Sequence, residues 1–123
     1  MATPMDVPII VEYYYKVKWG HQGEFLDLFR KNHYPLLAAQ VDSGRLLKIQ
    51  AYEPRFHGDG CSDWTFMTVL TFKNWQAFGD SSGTAELIEK LYPDQVTYKR
   101  EEQRRFEILE AHGDVPLKPI PMQ

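Results

Sequence analysis

Cysteine is nearly missing from this chain: Cys61 is the only one in 123 residues. No intrachain disulfide can form, so a reducing compartment, the cytoplasm, is expected. No apolar run approaches the roughly 18 residues of a membrane span, and the N-terminus has no signal-peptide core, so no membrane association is expected. An excess of positive charge is lacking too. At net charge −3 and pI near 5.8, nucleic acid is not an expected partner. The basic run Lys99–Arg105 is interrupted by Glu101 and Glu102 and reads as a solvated helix face. Glycine-rich phosphate loops, a nucleophile elbow, CxxC pairs and HxxxH pairs are all absent, so no motif fixes a reaction. Without repeats or low-complexity tracts, the chain reads as one domain that buries roughly two-thirds of its unfolded surface.

Aromatics, by contrast, make up 14% of the chain, and three adjoin at Tyr13-Tyr14-Tyr15. From Ile9 to Trp19 the odd positions are Ile9, Val11, Tyr13, Tyr15, Val17 and Trp19. That alternation predicts a strand whose odd face lies under helices and whose even face is amphipathic. Gly20 and Gly23 break the strand. A helix comes next with Glu24 in its first turn, and Phe25, Phe29 and Leu36 recur at helical spacing. Pro35 predicts a kink near Lys31–Pro35.

Asp42-Ser43-Gly44 stops the helix, and Leu46–Glu53 reads as a strand with Leu47, Ile49 and Ala51 on one face. After a glycine-bearing loop comes a third strand, Trp64–Phe72. One face carries Trp64, Phe66, Leu70 and Phe72, the other Met67 and Val69. Both faces are largely apolar, so both need cover. Asn74 caps a second helical region, and Pro93 suits the first position of a further short helix to about Gln103, with Asp94 at its start. Arg105–Ala111 alternates as strand four. The boundaries are therefore an extended lead-in over 1–8, a domain over 9–112 and a proline-rich tail over 113–123. The order βαββαβ predicts an α+β, ferredoxin-like plait with an antiparallel sheet. Helices cover one face; a second copy is expected on the other, giving a homodimer with an interface above about 2,000 Å².

Three polar residues, Asn32, His33 and Gln40, fall on the apolar helix face. A buried imidazole needs a partner, which Tyr13 or Tyr15 could supply, making His33 a satisfied core residue. Alternatively His33 is a general base in a cleft, where an ordinary pKa near 6.5 suits proton transfer. His57, Asp59, Cys61 and Asp63 alternate through the long loop, but Gly58 and Gly60 fit an ordinary turn, and no metal is expected.

Glu12-Tyr13-Tyr14-Tyr15-Lys16-Val17-Lys18-Trp19-Gly20, with Glu24-Phe25-Leu26 and His33-Tyr34-Pro35 after it, resembles the dimeric α/β-barrel superfamily. The resemblance points to its NIPSNAP-like and antibiotic-biosynthesis-monooxygenase-like branches, with Trp19 where those families place a proline. It implies protomers paired sheet to sheet as a barrel, with a ligand cleft between helix and sheet. Tyr14 and Glu12, on the even face of the first strand, would then line a polar barrel interior or make solvated dimer-interface contacts. The haem-degrading branch fits poorly, because Asn74–Gln103 contains no histidine. The same resemblance implies a monooxygenase-like enzyme without a bound cofactor, acting on an aromatic or polyketide-like molecule. His33 would be the base, Tyr13 or Tyr15 would orient the substrate, and Asn32 would hydrogen-bond an oxygen. A non-catalytic binding module, or a dimer whose cleft is filled by side chains, uses the same elements.

Overall fold

The computed structural model describes residues 6–56 and 63–122. Strand β1 (Ile9–Val17) leads through a turn to helices α1 (Gln22–Asn32) and α2 (Tyr34–Asp42), then β2 (Leu46–Tyr52) and β3 (Phe66–Phe72). Helices α3 (Trp75–Gly79), α4 (Thr84–Leu91) and α5 (Gln95–Glu107) precede β4 (Leu109–Pro116). The strands pair antiparallel in the order β2-β3-β1-β4. This is the expected plait, with each helical segment broken into pieces. None of the described helices is long and apolar enough to cross a membrane.

The alternation in β1 is realised in the sheet. Val11, Tyr15 and Val17 are buried against the helices, while Ile10 on the opposite face remains 42% exposed. Gly20 adopts φ +91°, a left-handed turn that a Cβ would strain, and so swings the chain from β1 into α1. Phe25 and Phe29 reach down from α1 to Tyr15 and to Phe66 of β3, with ring centroids 5.0–6.1 Å apart. The expected kink is a complete break. Pro35 lies in the first turn of α2, where its missing donor costs nothing, and His33 leaves helical geometry at φ −120°. Asn74 and Asp94 cap α3 and α5, accepting from the N–H groups of Ala77 and Thr97; Pro93, expected as the first helical residue, instead precedes the Asp94 cap.

Four further expectations need correction. A bulge between Leu46 and Lys48 makes Leu47 the extra residue. Leu46 is therefore the buried one, and Leu47 is 52% exposed. Trp64 precedes β3 and packs edge-on against Tyr14, away from the face of Phe66. Helix α5 runs on to Glu107, so Arg105 and Phe106 are helical. Strand β4 consequently starts at Leu109 and continues to Pro116, through the first four residues assigned to the tail. As β4 lies at the sheet edge, Pro116 can lack a donor without breaking a ladder.

Candidate functional site

Antiparallel pairing decides which side chains share the helix-covered face. Tyr13 lies across from Thr68 on one side and Asp114 on the other, and Tyr15 lies across from Phe66 and His112. Over these rows His33, at the joint before α2, joins Leu37 and Gln40 of that helix, and the end of α5 contributes Arg105. Together they line a cavity of about 330 Å³, within the range of small-molecule sites. Tyr13, Tyr15 and His33, the three candidate catalytic residues, all border it.

Arg105 is a wall that the sequence pattern hides. It is 2% exposed, although it closes a run that reads as a solvated helix face. Glu102, one turn earlier, accepts from its Nε and Nη2 at 3.0 and 2.9 Å, a two-point pair. The guanidinium also lies 4.7 Å from the ring centre of Phe106 and 5.8–5.9 Å from those of Phe29 and Phe25. The stripe Tyr98, Glu102, Arg105 at helical spacing is the signal that could have revealed it.

His33 stands at the joint of α1 and α2, edge-on to Phe29 with centroids 5.0 Å apart. Burial first, and then the charge of Arg105, lower its pKa from 6.5 to about 4. Among the described residues its ring has no hydrogen-bond partner, so neither tyrosine supplies the expected one. Burial, with Asp114 adding to it, pushes Tyr13 up to about 12. Burial also raises Tyr15, while Arg105 opposes it. At neutral pH the cavity thus presents the neutral His33 imidazole and two neutral phenols, with the guanidiniums of Arg105 and Arg45 and the carboxylate of Asp114 also on its wall. That set can hold an oxyanion, but His33 is a weaker base than its ordinary pKa suggested.

This electrostatic arrangement has a measurable pH signature. His33's folded pKa lies below its unfolded value, so the unfolded chain takes up the proton first. Stability should therefore fall as pH drops from about 6.5 towards about 4, and His33 should contribute no slope above that window. Urea midpoints across the window should fall more steeply for the wild type than for His33→Phe. Parallel curves would contradict the depressed imidazole.

The remaining candidates lie elsewhere. Asn32 is buried but turned from the cavity; its Nδ2 donates to Glu101 Oε1 at 3.2 Å and ties α1 to α5. Adjacent helix positions already point about 100° apart, and Asn32 at the end of α1 turns towards α5 while His33 turns to the cavity. Tyr14 and Glu12 project from the opposite sheet face, with the Tyr14 hydroxyl donating to Glu12 Oε1 at 2.7 Å. There Tyr14 borders a separate concavity of about 470 Å³. His57, Asp59 and Cys61 lie outside the described residues.

No protein-family model matches the sequence, and no curated protein matches it. Solved structures do. A NIPSNAP family protein from Agrobacterium tumefaciens gives a TM-score of 0.55 at 19% identity, covering 100% of this chain and 95% of its own. A dimeric ferredoxin-like protein from an uncultured marine organism gives 0.63 at 6% identity, over 98% and 97% of the two chains. The fold is ferredoxin-like. A candidate antibiotic biosynthesis monooxygenase from Bacteroides thetaiotaomicron gives 0.54 at 7% identity, over 97% and 96%. At these identities a ferredoxin-like likeness carries the topology, and the chemistry must be argued from the cavity.

Proposed function

We propose that the cleft binds a small aromatic molecule with an acidic hydroxyl, a phenol or enol, and holds it as the anion beside Arg105. The convergence of His33, Tyr13 and Arg105 on one cavity carries this reading. His33 accepts the hydroxyl proton, and the anion formed beside it stabilises the imidazolium in turn. Leu36, Leu37 and Phe72 contact the ring. In the monooxygenase version, an electron-rich ring carbon of the anion bonds to dioxygen. One oxygen atom remains as a ring carbonyl and the other leaves as water.

The test is 1,8-dihydroxyanthrone in air-saturated buffer. One dioxygen should be consumed for each dihydroxyanthraquinone formed, faster with protein than without, and His33→Phe should slow the reaction. Saturable binding without oxygen uptake would select a non-catalytic binding protein instead. The depressed His33, a weak base at neutral pH, favours that second version. Neither uptake nor binding would overturn both.

The chain should act as a homodimer paired through the outer sheet face. Ile10, Val115 and Leu117 there are each 40–43% exposed, and Met67 and Val69 continue that face on β3, across β1 from β4. The uncultured marine relative, described as dimeric, supports this. Light scattering should return twice the chain mass of 14.4 kDa, and Val69→Lys should halve the observed mass. A wild-type monomer at micromolar concentration would refute the pairing.

A further inference from the structure

We infer that Gln40 is a second recognition point of the cleft, hydrogen-bonding an uncharged oxygen at the far end of the aromatic ligand whose acidic end lies at Arg105 and His33. This rests on the cleft function proposed above. Gln40 lies on the buried stripe of α2, one turn beyond Leu36 and Leu37, and is 6% exposed. Its main-chain carbonyl accepts from Ser43 Oγ at 3.1 Å. Among the described residues, its side-chain amide makes no hydrogen bond.

A carboxamide carries two donors and an acceptor oxygen. Among the described residues the Tyr92 hydroxyl is the one fully buried side-chain polar atom without a partner, so the Gln40 amide reaches the open space of the cleft. There it can meet a ligand oxygen in place of water. Gln40, Arg45 and Thr84 border the cavity and also an adjoining concavity of about 400 Å³, so the amide stands where the two meet.

Position and charge define what it meets. Gln40 lies two turns beyond His33 along α2, roughly 10 Å at 1.5 Å per residue. A fused two-ring molecule with oxygens at opposite ends matches that separation. The far oxygen should be uncharged. Arg45 already donates to the Ala77 and Phe78 carbonyls at 2.9 and 3.1 Å, and the Asp80 carboxylate borders the same concavity, with Lys73 also on its wall. A hydroxyl or carbonyl suits an amide, which both donates and accepts.

Calorimetric titration with 2,6-dihydroxynaphthalene and 2-naphthol tests this, because they share a ring system and differ only in the far hydroxyl. The wild type should bind the diol about tenfold more tightly than 2-naphthol. Gln40→Leu should bind both with the affinity of 2-naphthol. Gln40→Met, of similar length and without the amide, should do the same and covers the case of a poorly folded leucine variant. Equal affinities in the wild type, or a preference that survives in either folded variant, would overturn the role of Gln40. If neither naphthol binds the wild type, the cleft function fails and this inference with it.

Discussion

Phe25→Ala should destabilise the protein by about 3–5 kcal/mol, the range for emptying a buried aromatic site. Phe25 is fully buried, and its ring packs on Tyr15, Phe29 and Phe66 at 5.2, 6.1 and 6.0 Å between centroids. Those neighbours are held by different elements: Tyr15 and Phe66 by paired strands, Phe29 by the next turn of α1. None can move into the void without disturbing the others, so most of the cavity should persist. Small domains have only about 5–15 kcal/mol in total, so the variant should unfold at much lower urea with an unchanged slope. A loss under about 1 kcal/mol would mean that the surrounding core collapses freely. Phe25 does not line the cleft, so its folded fraction should keep its ligand.

Arg105→Ala should cost a similar amount, about 3–5 kcal/mol, by a different route. The guanidinium side chain is 3% exposed and that of Glu102 18%. Removing the cation leaves a carboxylate that has lost its counter-charge in a poorly hydrated place. Much of the loss therefore belongs to the stranded Glu102. In a Glu102→Gln background the same substitution should cost clearly less, and the difference from additivity gives the coupling. Equal costs in both backgrounds would show that packing over Phe25, Phe29 and Phe106 dominates. Unlike Phe25→Ala, the Arg105 variant should also lose binding of a phenolate, so the pair separates core from cleft.

The plait was legible because its strongest signals are local. The alternation of β1, Pro35 two residues after His33 and the cap Asn74 each act within a few residues, and tertiary packing reinforces them. Arg105 was not legible for the opposite reason. Phe106 and Ile108 alternate with Glu107 and Leu109, a pattern too short to distinguish a strand from a helix end. Helix-favouring Glu101, Glu102, Gln103, Arg104 and Arg105 carry α5 onward, and no glycine or proline stops it. That extra turn takes Arg105 from the surface to the cavity. Leu47 failed likewise, because a bulge inverts the faces and leaves no mark in composition. For the site, His33, Tyr13 and Tyr15 share a cavity because strand alternation and helical spacing each set one wall of it. Asn32 does not, because neighbouring helix positions point about 100° apart and its amide faces Glu101 of α5.

The three tryptophans divide the molecule in a useful way. Trp19 is 90% and Trp75 48% exposed, Trp64 packs on Tyr14 at the outer face, and none borders the cavity of His33 and Gln40. Intrinsic emission should therefore be nearly blind to what occupies the cleft. Trp19 supplies a constant, water-quenched, red-shifted background, whereas Trp64 should shift to shorter wavelength when its face is covered. In the homodimer proposed above, dilution of unlabelled protein, monitored at the blue edge of its spectrum, would report subunit separation directly.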